Sequence, residues 1–142
     1  MLKNKEFEDA IDELKAPFAA NQINWRKGGG NIQLAYLNAR NVMQRLDQVL
    51  GAENWQDRYE ETAGRLMCYL SIRVGGEWIV KADGSGDTKI ESEKGGISSA
   101  FKRAAVKFGV GRYLYYLPTS AGPNNMPFWA LPPPPVNPSE EK

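Results

Sequence analysis

The amino-acid sequence predicts an α+β fold: a three-stranded antiparallel β-meander with helices packed on one side. Three observations point there. Through Arg65 to Val74 apolar and polar side chains alternate with a period of two, the pattern of a strand with one buried face. Extended segments flank that strand across Ala63-Gly64 and Gly75-Gly76, links short enough to require antiparallel neighbours. Before and after this region the period changes to that of amphipathic helices, so helices and strands are segregated along the chain.

Each element can be justified in order. Phe7, Ile11, Leu14 and Phe18 fall at i, i+4, i+7 and i+11, one face of a helix over residues 4–16 that Pro17 stops. Gly28-Gly29-Gly30 reads as a flexible loop or a point of close backbone approach. Asn38 is an N-cap for a second helix whose stripe is Ala39, Val42, Met43, Leu46 and Leu50, and Gly51 closes it. The strands are Trp55–Thr62, Arg65–Val74 and Trp78–Asp83. In the middle one, Leu66, Cys68, Leu70, Ile72 and Val74 form the buried face. A Gly/Ser/Asp loop is expected at 84–88. The last helix is Glu93–Phe108, with Ile97, Phe101, Ala104 and Phe108 on its stripe and Gly109 as its stop. Eight of the nine prolines lie in 118–142, including Pro132 to Pro135. That segment is expected to be an extended or disordered tail to a domain of residues 1–117, with the Phe128-Trp129 pair docking on this protein or a partner. The sequence contains no internal repeats.

Composition narrows the chemistry. The 142 residues make about one domain, and 42% hydrophobic with 25% charged residues is ordinary for a globular protein. No apolar run approaches the roughly 20 residues that span a bilayer, and no apolar stretch follows Met1-Leu2-Lys3, so no membrane or export segment is expected. A single cysteine, Cys68, fits a reducing cytoplasm and, on the apolar face of its strand, reads as a buried structural thiol. There is no histidine, which removes the commonest general base, the commonest metal ligand and every Ser-His or Cys-His nucleophile. Gly84 to Lys89 lacks the spacing of a phosphate-binding loop. Asp83-x-Ser85-x-Asp87 opens like a calcium loop but has Thr88 where glycine is needed and Lys94 where a bidentate glutamate is needed. A magnesium site for nuclease work, drawn from Asp87, Glu91 and Glu93 or from Asp83, Asp87 and Glu91, has no paired carboxylates on a recognisable scaffold. The reading is a binding protein: no enzyme, cofactor or metal is expected.

Charge supplies the positive signal. The net charge is only +1, from 18 basic and 17 acidic residues, but it is segregated. Residues 17–46 contain Arg26, Lys27, Arg40 and Arg45 with no acid, and residues 98–117 contain Lys102, Arg103, Lys107 and Arg112 with no acid. Two such blocks, separate in sequence, are able to converge on one groove for a polyanion. Adjacent Lys102 and Arg103 lie about 100° apart around their helix, with Lys107 four residues beyond Arg103. One helix thereby offers an apolar face to a sheet and a cationic row to a phosphate backbone.

Here the sequence resembles the Rad-fifty-two type single-strand annealing proteins. Lys102-Arg103-Ala104 running to Phe108-Gly109 is similar to that family's final-helix motif. Arg26 and Lys27 before Gly28-Gly29-Gly30 resemble its basic, glycine-rich entry, and Tyr36-Leu37 its lead into the next helix. Leu50-Gly51-Ala52-Glu53-Asn54-Trp55 is similar to its helix-to-sheet junction, and Asp83-Gly84-Ser85-Gly86 with Glu93-Lys94 to its sheet-to-helix crossing. The likeness covers about residues 24–117.

The resemblance implies a β-β-β-α core assembled into a homo-oligomeric ring, with single-stranded DNA held in a positive outer groove and annealed to its complement without ATP. This places the chain in homologous recombination and DNA repair, in the cytoplasm of a bacterial cell or a phage-infected host. A recombinase or single-strand binding protein is a candidate further partner, and no membrane is involved. By position, Lys102 and Arg103 would contact the DNA backbone, Arg26 or Lys27 would be the basic partner, and Arg73 matches a strand arginine. The lysine that the family often has just after the glycine run is missing from Asn31-Ile32-Gln33, which weakens the groove or shifts its work to Lys27 and Arg112. A long C-terminal recombinase-binding region is not expected, the Pro-rich tail standing in its place as in compact bacterial or phage versions. Lys107 completes the expected set of DNA-binding residues. Tyr113, Tyr115 and Tyr116 are candidates for base stacking or for packing, and Trp25, Trp55 and Trp78 for core or interface. The alternatives are a single-strand-binding recombination mediator without annealing activity, and a metal-dependent nuclease.

Overall fold

The computed structural model describes residues 4–87 and 95–133. Among these, in chain order, are α1 (Asn4–Leu14), β1 (Asn24–Lys27), β2 (Gln33–Tyr36), α2 (Ala39–Leu50), β3 (Trp55–Thr62), β4 (Arg65–Val74), β5 (Glu77–Asp87) and α3 (Gly96–Lys107). A 3-10 turn at Arg112–Tyr116 follows α3. Strands β3, β4 and β5 form the antiparallel meander in that order, and the helices pack on one of its faces. None of the described helices is long and apolar enough to cross a membrane.

The period-two pattern of β4 explains the core. Cys68, Leu70 and Ile72 are fully buried beneath Leu14 of α1, Val42 and Leu46 of α2, Phe101 and Ala104 of α3, and Phe108 just beyond that helix. Small residues Gly96, Ala100 and Ala104 form a buried row that lets α3 lie close on the sheet. Trp55 joins helix to sheet at both ends of its side chain: its ring lies 5.8 Å from that of Phe101, and its indole N–H donates to Asp47 Oδ1 at 2.7 Å. Asn38 caps α2 as its position predicts, accepting from the Asn41 N–H at 2.9 Å, and Gly51 ends the helix at φ +91°. Cys68 is buried beside the Tyr59 hydroxyl, and desolvation pushes its thiol up to about 11, as expected of a structural cysteine.

Three expectations need correction, and one is sharpened. The glycine run is the loop of a hairpin: β1 pairs antiparallel with β2, Arg26 opposite Leu34, and the Gly28 N–H donates to Ile32 O at 2.8 Å. The third strand does not end at Asp83 but runs to Asp87 through a register shift opposite Arg65–Met67. Gly84 makes this feasible, because a Cβ there would stand 2.6 Å from the Met67 sulfur. Ile97 and Met43 are exposed and lie beside the buried stripes of their helices, not on them. In the Pro-rich segment, residues 118–133 form a turn bridged between Gly122 and Asn125 and a 3-10 turn at Phe128–Ala130, because Ala121 and Ala130 are small enough to be buried there. Phe128 itself is 86% exposed, so that ring does not dock on this chain. Thr88, Lys89, Glu91, Glu93 and Lys94, and residues 134–142, lie outside the described residues.

Candidate nucleic-acid interface

The β1–β2 hairpin and α3 bring the two basic blocks together. Alternation along β1 sets Arg26 on the same face as Leu34 and Tyr36 of β2. Across from it, α3 presents Ser99, Lys102, Arg103 and Val106. Between them lies an open groove of about 260 Å³, with Gly111 and Tyr115 at its far side. That volume is below the usual range for a pocket enclosing a small molecule and suits a chain laid across it. Gly111 is required at this bend, since its φ is +75° and a Cβ would stand 2.8 Å from Leu37 Cδ1.

Lys102 is the centre of the groove. Its ammonium lies 5.5 Å from the centroid of the Tyr36 ring, within cation–π reach. Burial, and after it the charge of Arg26, lowers its pKa from the ordinary lysine value. Two cations are therefore held close enough to oppose each other, an arrangement that an anion between them relieves. Arg103 faces Asp83 with Nε 3.8 Å from Oδ1, a partly solvent-exposed pair of small energetic weight. Asp83 also accepts from the Gly84 N–H at 2.7 Å. Among the described residues no group of acidic or cysteine side chains is arranged to hold a metal ion.

The other expected site residues stand elsewhere. Lys27 is exposed, on the opposite face of β1 from Arg26 and outside the groove lining. Arg73 stacks over Trp78 and donates to Asn54 Oδ1 at 2.7 Å and to Glu53 O at 3.2 Å, bracing the junction before β3. Lys107 Nζ donates to the Ala82 carbonyl. Arg112 donates to Val106 O at 2.8 Å and Lys107 O at 2.9 Å, which closes the C-terminus of α3. Arg45 of the first basic block does the same for α1, donating to Leu14 O at 3.0 Å and Ala16 O at 2.7 Å, with its guanidinium 3.9 Å over the Phe18 ring. Tyr36 is the groove residue that sequence reasoning did not assign to the site. The hairpin register sets it on the face of Arg26, and no pattern in the sequence announces that pairing.

Residues 6–127 match the model of the family described as Rad52/22 family double-strand break repair protein. The chain belongs to the Rad52/22 family. The match spans every element that lines the groove and extends beyond the resemblance seen in the sequence, reaching α1 at one end and the Gly122–Asn125 turn at the other. This Rad52/22 chain is also similar to two proteins described as "Single-stranded DNA-binding protein DdrA", from Deinococcus deserti and Deinococcus radiodurans. Each is 30% identical over 146 residues; the alignments cover 89% of this chain and 72% and 70% of the respective relatives.

Proposed function

We propose that this chain binds single-stranded DNA along the groove between the β1–β2 hairpin and α3, and that it pairs complementary strands without ATP in recombination and repair. The observation that carries the reading is the meeting of Arg26 with Lys102 and Arg103, from two acid-free blocks far apart in sequence, at one open groove. Three cations on two rigid elements neutralise successive phosphates without reading base edges. Bases left free in this way are available to sample a complement. Membership of a double-strand break repair family and likeness to proteins described as single-stranded DNA-binding support the same substrate. Lys27 flanks this set, while Arg73, Lys107 and Arg112 act through the scaffold. The protein is read as a binder and not an enzyme. A homo-oligomeric ring fits a meander that leaves β3 and β5 as open edges.

The deciding experiment mixes two complementary fluorescent oligonucleotides without ATP or magnesium at several salt concentrations. Pairing faster than the spontaneous rate, fading as salt rises, is expected. Lys102→Ala combined with Arg103→Ala should weaken strand binding while the circular-dichroism spectrum stays unchanged. Tight binding with no acceleration favours the second reading, a single-strand-binding mediator, which the relatives' description as single-stranded DNA-binding proteins also suits.

A further inference from the structure

We propose that Tyr115 is a stacking platform for one unpaired nucleobase at the mouth of the groove, an inference that rests on the single-strand reading above. The 3-10 turn at Arg112–Tyr116 carries three tyrosines, and their surroundings separate them. Tyr113 turns inward and its hydroxyl accepts from the Phe18 N–H at 2.8 Å. Tyr115 and Tyr116 are each 71% exposed. Of these two, Tyr115 lines the groove that holds Arg26, Lys102 and Arg103, and Tyr116 does not. Burial in this chain does not explain so exposed a ring, because leaving an aromatic face in water gives up the stabilisation that packing would bring. The turn beneath it is fixed at three points: Gly111 at φ +75°, the Arg112 bonds to Val106 O and Lys107 O, and the Tyr113 anchor. The ring is thus positioned before any ligand arrives, which reduces the ordering that binding requires.

A single strand whose phosphates lie on Lys102 and Arg103 carries unstacked bases past this ring. An aromatic face accepts any base, so the contact is independent of sequence. A duplex offers it none, since its bases are already stacked on each other. Tyr115 thereby selects for single strands without changing the number of phosphates neutralised.

The test compares the full chain with Tyr115→Ala, Tyr115→Trp and Tyr116→Ala by fluorescence anisotropy. The probes are an oligothymidylate and an abasic oligodeoxynucleotide of equal length, each over a range of salt. Tyr115→Ala should bind oligothymidylate about tenfold more weakly. It should bind the abasic strand as the unaltered protein does, and keep the same dependence on salt. Tyr115→Trp and Tyr116→Ala should both retain affinity for oligothymidylate. Undiminished binding of oligothymidylate by Tyr115→Ala, equal losses on both probes, or an altered mass by light scattering would overturn the proposal. If the unaltered protein binds neither probe, the single-strand reading itself fails and this inference goes with it.

Discussion

Lys102 is lowered in pKa by burial first and by Arg26 second, and this has a readable consequence at the level of one side chain. A phosphate seated beside it favours the charged form, so binding takes up protons wherever the free lysine is partly neutral. Strand affinity should therefore fall as pH rises through the depressed pKa, earlier than an exposed lysine of about 10.4 would require. Lys102→Arg, which stays charged throughout, should hold its affinity over the same interval. Titrating both proteins with a labelled strand at increasing pH checks this, and parallel curves would count against it. Lys102 and Arg103 were legible in the sequence because adjacent cations on an apolar-striped helix are a local pattern. Arg45 and Arg112 were not separable from them, since whether an arginine meets water or the last carbonyls of a helix depends on where a distant segment returns.

Among the elements, the meander, α2 and the buried stripe of α3 followed from periodicity and capping, because each is long enough for its pattern to repeat. The β1–β2 hairpin did not. Its strands have four residues each, and Gln33, Leu34 and Tyr36 are all exposed, so no apolar alternation announces them. The extension of β5 was hidden because Gly84 and Ser85 resemble a loop in composition, whereas the strand needs a missing side chain beside Met67. The way α1 is closed is open to measurement. Arg45 satisfies carbonyls at the end of that helix from α2, so Arg45→Ala leaves several part-buried acceptors without a donor. A loss of about 2 kcal/mol is expected in denaturant unfolding. Arg45→Lys should recover little of it, because an ammonium cannot fork across the same set.

For the molecule as a whole, the feature that matters is what a single chain leaves uncovered. Among the described residues β3 and β5 are open edges, and Trp78 and Val80 are exposed on β5. Self-association should appear in light scattering as a mass several times that of one chain, steady on dilution; a single-chain mass at every concentration would contradict it. No local pattern in the sequence encodes a subunit count. The groove has a different consequence. Its cations come from a hairpin early in the chain and a helix late in it, and they meet only when the intervening sheet is in place. On the proposed reading, DNA bound there would be a ligand of the native state and not of the open chain, and by mass action would raise the free energy of unfolding by RT ln(1 + [L]/Kd). Salt then acts twice. By stripping the strand it would also withdraw that stabilisation, linking DNA release to susceptibility to heat through the three cations proposed to hold it.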